Sequence, residues 1–554
     1  MTTYYVSPTG VDTNNGTSQS TPWQTLSHVN AFAFAAGDTC LFQGNGWWVG
    51  NATTGQQLQP STSGASGNPI TFGTYGTGNA YIYNSTVAGN YNGILVYDIN
   101  YVTFNNFTCF GPDVMVNTTT SGVNAFSASG VYTGITINNC QAYGWYVGIL
   151  VGSNVAGAGF SNVTINGCTT NGNFYAGIWS YGTGTTGDGS GWQNSNITVT
   201  NCVATDNLGN KAVTTKWTGS GILFSSTNGG TISGCTASGN GQCNSYTSGG
   251  GVGIWAYYAN NITISGNIAF SNQSGTQSDG DGFDLDIGCT NCTLEYNIAW
   301  GNWGAGILLD ADSAANWNGN TVRYNITWGN GQNPLTAAGG YGELTTFGPM
   351  GAHAVYNNTF VATTSPLYSP ACITAEASSS TNGTYRNNIF YMAGTGHHIL
   401  TTVAYASTAV LFQGNNYSGA TLSIDWNGTT YTTMAAWQAV ATNQEQNGAT
   451  NYGTMATATA NPNFVNVSQQ PTVWSPTHLF GAYGLQMTTS STLLSAGLNL
   501  NSLFGTVVGT QDYFGNTLSS WPIGASYTSG YIGTAPTLTT RLFKGSTNYA
   551  RLTA

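Results

Sequence analysis

Carboxylates are scarce in this chain and unevenly placed. Of the 18 Asp and Glu residues among 554, seven fall between positions 279 and 312: Asp279, Asp281, Asp284, Asp286, Glu295, Asp310 and Asp312. Like charges packed so closely repel one another, so a protein that keeps them is expected to use them, as a tuned acid/base pair or as ligands of a cation. Asp279, Asp281, Asp284 and Asp286 together offer several hard oxygens, the donor set that Ca²⁺ takes. A structural calcium site without catalysis is the plain alternative.

The same stretch belongs to a series of short segments that open on Gly-Ile or a close variant. They are GILVG (148–152), GIWSY (177–181), GILFS (221–225), GIWAY (253–257), GFDLD (282–286), GILLD (306–310), GELTT (342–346) and CITAE (372–376). Side chains alternate along a strand, so with Ile178, Ile254, Phe283 and Ile307 facing a core, two outward columns follow. One reads Leu150, Trp179, Leu223, Trp255, Asp284, Leu308, Leu344, Thr374. The other reads Gly152, Tyr181, Ser225, Tyr257, Asp286, Asp310, Thr346, Glu376.

Aromatic rings therefore stand beside carboxylates on one face, the surface that a polysaccharide site needs, because sugar rings stack their C–H faces on Trp and Tyr. Trp179, Tyr181, Trp255 and Tyr257 are the candidate substrate-binding residues, with Lys216 reaching over them from the loop that enters GILFS. The catalytic candidates are Asp286 and Asp310, with Asp284 beside them. On neighbouring coils Asp286 and Asp310 would lie ~5 Å apart, the carboxyl spacing of a retaining glycosidase. One would be the nucleophile and the other an acid whose pKa its neighbour raises. Elimination would instead need a strong base such as Lys or Arg. None of the aligned strands carries one; Lys211 and Lys216 lie in a loop and Arg323 in a different strand, so hydrolysis is the favoured reading.

The elements that must position these residues show as a repeat. A motif of the form I-T-I-x-x-[CN] recurs at Cys140, Cys168, Cys202, Cys235, Asn267, Asn297, Asn325, Asn358 and Asn388, at spacings of 28 to 34 residues. A period near 30 with three short β-runs per unit, Gly and Asn at the corners and no helix between them indicates a β-solenoid. The fold class expected is all-β: a right-handed parallel β-helix of three sheets and about ten or more coils. Anchors repeating once per coil should stack at the strand spacing, the cysteines as buried reduced thiols and the asparagines as an amide ladder. Cys289-x-x-Cys292 has no second pair or nearby His and reads as structural rather than as zinc. His353, His397 and His398 read as packing, and Asp12–Gly16 as a polar turn.

The expected organisation is an N-terminal cap (1–50), the β-helix (51–420), a C-terminal helix with closing β-coils (421–530) and a tail (531–554). The cap carries a short helix over Trp23–Phe34 and a strand over Thr39–Gln43; a second short helix is expected over Thr432–Val440, and short strands over 461–526. The tail holds Arg541, Lys544 and Arg551, three of seven cations, and no acid. It reads as an assembly or attachment element.

Composition excludes several classes. Charged residues make up 5% of the chain, and the net charge is −11 with three lysines, so nucleic-acid binding is excluded. The residues that all-α proteins depend on are depleted. No apolar run approaches the length of a membrane span. The start, Met1-Thr2-Thr3-Tyr4, has no basic and apolar leader, which leads us to expect a chain not exported by the usual route or one relieved of its leader.

The opening YYVSPTGVDTNNGTSQSTPWQTLSHVN…GDTCLFQGN resembles the N-terminal segment of pectate-lyase-like parallel β-helix proteins. YTTMAAWQAV…NPNFVN, then STLLSAG…TQDYFGN…PIGASY, resembles their C-terminal segment. The resemblance covers residues 4–528 and implies a polymer-facing β-helix; the group includes polysaccharide lyases, glycosidases and bacteriophage tailspike depolymerases. SDGDGFDLD resembles the calcium-site region of some β-helix pectate lyases. The implied function is a polysaccharide depolymerase, carried on a virion tail as a trimer or other homo-oligomer; the 531–554 tail lies outside the resemblance, and its cations are what lead us to expect it docked on an acidic patch of a neighbouring subunit or virion protein. The alternatives are a non-catalytic carbohydrate-binding or structural spike, and a secreted extracellular enzyme.

Overall fold

A computed structural model describes residues 1–527 apart from 51–54, 85–90, 113–119, 184–190, 336–339, 364–370, 377–379, 406–409, 441–443, 448–449, 452–461, 469–470 and 472–481. The expected tail at 531–554 lies outside the described residues. The fold is an all-β, right-handed parallel β-helix. One sheet has 13 parallel strands in sequence order, from Trp47–Val49 to Asn416–Gly419. The other two expected faces are joined into a 25-stranded sheet, because the strands Ser220–Ser233 and Ile254–Ser265 run unbroken from one face onto the next. They turn the corner at Ser226 (φ 49°) and Tyr258 (φ 43°), both left-handed.

The recurring dipeptide of the repeat has a backbone explanation. In every case the residue before the anchor is left-handed: Asn139, Gly167, Asn201, Gly234, Gly266, Tyr296, Tyr324, Asn357 and Asn387 all have φ between 52° and 66°. Asn and Gly enter that region at least cost, which is why they dominate the position. The bend swings the next side chain inward. The Cys168 amide then donates to Cys202 Sγ and the Cys202 amide to Cys235 Sγ, both at 3.4 Å. The Cys235 amide donates to Asn267 Oδ1, and from there each Asn gives its backbone N–H and its Nδ2 to the next Asn Oδ1, at 2.9–3.0 Å. The column continues to Asn415. All ten cysteines are free thiols.

A second ladder, not expected from the motif, runs through Asn173, Asn207, Asn240, Asn272, Asn302 and Asn330 in the same donor direction. The last Asn in each column has two donors and no further amide to receive them, and a buried carboxylate supplies the acceptors. Asn330 donates to both oxygens of Glu343, and Asn415 to both oxygens of Glu445. Glu343 and Glu445 are each buried, and that burial raises both carboxyls to about 7.

Both ends are closed. The helix Leu26–Ala31, inside the span expected, is N-capped by Thr25 and sends Leu26 and Val29 into the core over the first coil. At the far end a hairpin (Ile424–Trp426, Thr429–Tyr431) and the helix Met434–Gln438 cover the last coil with Trp437, which is fully buried. Among the described residues of 461–526, where short strands are expected, only two isolated bridges form, Phe464 with Met487 and Gln511 with Thr517. That segment has two 3-10 turns and the helix Leu500–Phe504, and it folds back along the outside of the 13-stranded sheet. The reason is the apolar outer surface there: Trp300, Ile326, Val361 and Ile389 are covered by Phe464, Leu485, Met487, Leu493 and Ile523. His353, His397 and His398 hydrogen-bond to Gly351 O, Ser423 Oγ and Ser418 O within the packing.

Asn325→Ala should test the ladder. It removes the single oxygen that receives two buried donors of Asn297, so each orphaned donor should cost about 1–3 kcal/mol. A lowered chemical-denaturation midpoint with unchanged strand content by circular dichroism is the expected outcome; an unchanged midpoint would remove the ladder's energetic role.

Candidate active site

The Gly-Ile strands stack as one ladder of the 25-stranded sheet. Ile149, Ile178, Ile222, Ile254, Phe283, Ile307, Leu344 and Ile373 are successive inward partners, each at most 1% exposed. The outward neighbours follow as Leu150, Trp179, Leu223, Trp255, Asp284 and Leu308. At GELTT the register differs from the sequence alignment by one residue: Leu344 faces the core and Thr345 pairs with Leu308, while Phe347 pairs with Asp310. Leu344 and Thr346 therefore leave the outward columns. The slip has a cause, since Glu343, which the sequence alignment sets level with the inward Ile of the other strands, lies one position before the inward Leu344 and closes the second amide ladder.

Asp286 and Asp310 each come directly after the ladder's last pair, Leu285 and Leu309, on adjacent coils whose strands lie ~4.8 Å apart. Both are half-buried. Burial raises Asp310 to about 7, helped by the charges of Asp279 and Asp312. Burial, and then the charge of Asp310, push Asp286 well above the usual carboxylate range. Asp286 Oδ1 accepts from its own neighbour's amide, Ile287 N, at 2.5 Å. Asp284 is 2% exposed, and burial followed by the charge of Asp286 raises it strongly; its Oδ1 has no hydrogen-bond partner.

Of the four residues considered as calcium ligands, two have hydrogen-bond donors from neighbouring coils. Asp279 accepts from Gly250 N and Tyr341 Oη, and Asp281 from Ala305 N, which turns both toward the backbone of neighbouring coils. Among the described residues no three Asp, Glu, His or Cys side chains converge on a point that could hold a metal.

A pocket of about 260 Å³ opens on the same face, on the N-terminal side of the carboxylates. Trp179, Lys216 and Tyr257 line it as candidates from the sequence, joined by Tyr175, Trp217 and Tyr258. Polar edges come from Ser225 and Ser226. Trp179 Nε1 donates to Ser225 Oγ at 3.1 Å, and Tyr181 packs beside Trp179 at 5.2 Å between ring centroids. Tyr257 adjoins Asp286, whose charge adds to the burial that raises the phenol to about 12. Trp255 differs from expectation. It is 2% exposed, with Trp217 lying edge-on across it at 4.9 Å, so it supports the pocket from beneath and shows no face to a ligand. Tyr258 holds its left-handed backbone with its ring over Gly288, where an added Cβ would lie 2.3 Å from that ring.

Tyr175 and Tyr258 each sit within two residues of a strand that was aligned, and Trp217 adjoins Lys216. No repeat marks them, because corner and loop residues fall outside the alternation.

The repeat pattern extends to comparison with known proteins. A family model described as "Right handed beta helix region" matches residues 70–243 and 186–360. The chain belongs to the right-handed β-helix family. No curated protein matches it. Among solved structures, this β-helix is similar to a GH136 lacto-N-biosidase from Eubacterium ramulus, at TM-score 0.49 and 17% identity over 64% of each chain. It thus spans 64% of that protein's length. Pectate lyase Pel9A is similar at TM-score 0.43 and 16% identity, covering 95% of this chain and 96% of that one. The Dettilon tailspike protein follows at TM-score 0.41 and 13% identity, over 72% and 68%. At these identities the likeness is one of fold.

The raised carboxyls predict a pH dependence. Asp310 binds a proton up to about pH 7 when folded but only to about its ordinary 3.8 when unfolded, so its contribution is fully present at low pH and is lost as pH rises toward 7. Asp310→Asn should therefore unfold at a higher temperature than the parent at pH 8 and show a smaller gain at pH 4. Melting curves at both values check this, and a gain that shrinks as pH rises would contradict it.

Proposed function

We propose that this β-helix binds a polysaccharide along the aromatic face and hydrolyses it with Asp286 and Asp310. The observation that carries the reading is the pair of carboxylates on adjacent coils, beside an aromatic pocket, with both pKa values raised. Two such groups titrate as a pair and hold one proton between them over a wide pH range. One of the two keeps that proton and acts as the acid toward the glycosidic oxygen; the other, ionised, is the nucleophile. Their spacing suits retention of configuration through a covalent intermediate. Trp179, Tyr181 and Tyr257 supply ring faces and edges for the sugars. A virion tail, with the protein as a homo-oligomer, is the setting we propose for such a depolymerase, and buried reduced thiols suit assembly in a reducing compartment. No helix among the described residues is long and apolar enough to cross a membrane.

Incubation with capsular, exo- and cell-wall polysaccharides tests the proposal through the size of the products. Asp286→Asn and Asp310→Asn should each lower turnover by about a hundredfold or more, with melting temperatures unchanged or raised. Full turnover in both variants refutes the assignment. Products with the ultraviolet absorbance of an unsaturated sugar would mean elimination, and no shortening of any polymer would leave a binding spike.

A further inference from the structure

Lys216 stands out among the cations of the described residues. Arg323 is paired with Glu295 at 2.7 Å, and the only other ion pair among those residues joins the amino terminus to Asp38. Among the described residues Lys216 has no carboxylate partner, as is true of Lys211 and Arg386, but Lys216 alone of these lines the pocket. Its ammonium donates to Tyr146 Oη at 2.9 Å and lies 4.8 Å over the Tyr175 ring. An ammonium has three protons, so two remain for a ligand.

Below it Ser225 is engaged within the protein, and the other hydroxyls come from Ser226, Tyr175, Tyr257 and Tyr258. Ser225 Oγ accepts from Trp179 Nε1 and donates to Ser180 O at 2.8 Å, and Ser226 Oγ accepts from Gln193 N. Among the described residues no carboxylate lines the cavity; Asp286 lies one coil further along. The space is thus bounded by aromatic faces and one unpaired positive charge, with the acid pair just outside it. An anionic group would meet the two remaining ammonium protons directly, as charge-assisted hydrogen bonds that a wholly neutral sugar does not form.

We infer that this pocket receives a sugar residue bearing an anionic substituent, with Lys216 as its counter-ion and Trp179 and Tyr257 against its C–H faces. The inference rests on the polysaccharide reading of the face and narrows it to acidic glycans. A carboxylate, a pyruvyl ketal or a sulfate would share this recognition, since each presents oxygens to the two free ammonium protons.

Calorimetric titration with uronate, pyruvylated and sulfated oligosaccharides, each beside a neutral counterpart with the charge removed, tests it and separates the three sources. For at least one pair the parent protein should bind the charged member tenfold or more tightly at low salt, with the preference shrinking as salt rises. Lys216→Met should abolish the preference and Lys216→Arg should keep most of it. Equal affinity within every pair, no binding of any charged probe, or a preference that survives in Lys216→Met overturns the inference. Cleavage is scored separately. A Lys216-dependent charge preference without cleavage leaves this inference standing and removes the hydrolase reading; equal cleavage of charged and neutral forms with no preference in affinity does the reverse.

Discussion

The structure depends on one constraint: a buried amide must be satisfied by the coil that follows it. In a solenoid the same position recurs at the strand spacing, so an Asn that accepts from the coil before it can donate to the coil after it, and the pattern propagates without water. Two such columns run through the middle of this molecule, and each has a direction. Direction creates an end, and the end needs an acceptor with no donors of its own. Glu343 and Glu445 fill that role, which accounts for two of the chain's four glutamates.

The same rule generates the site. A register that places Asn over Asn also places Asp286 beside Asp310, and the fold cannot separate them without breaking the core column of Phe283, Ile307 and Leu344. Stacking that satisfies neutral amides is unfavourable for charges. The carboxylates therefore retain protons that they would lose in water, and this is the property an acid/nucleophile pair requires. Asp279 and Asp281 share the conflict, since burial raises both, and each also accepts from donors on neighbouring coils: Gly250 N and Tyr341 Oη for the first, Ala305 N for the second.

The coils supply regularity and the corners supply shape. The pocket is made where two strands pass unbroken from one face to the next and where the segment before GILFS folds over them, bringing Lys216 and Trp217 onto the aromatic column. Trp255, in a column position equivalent to Trp179, is covered, whereas Trp179 remains half-open. Identical strand positions thus acquire different roles according to what crosses above them.

The fold was legible in the sequence because its period is local: the inward Ile column, the Cys-to-Asn stack and the outward carboxylates follow from alternation and repeat length alone. The second ladder was not read: Asn173 through Asn330 keep a similar spacing, but their flanking residues vary and hide the motif. The one-residue slip at GELTT was not, because alternation alone does not distinguish a Glu facing solvent from one that ends a buried amide column. Nor was the fold-back of the C-terminal segment, whose short apolar runs look like strands until the apolar outer face of Trp300, Ile326 and Val361 offers them a better surface. Sequence by itself determined which residues repeat and which face they take, because those depend on neighbours two residues or one coil away. Tertiary structure alone decided which aromatic rings are covered, how far the carboxyls are desolvated and where Lys216 stands, because those depend on contacts between segments with no periodic relation.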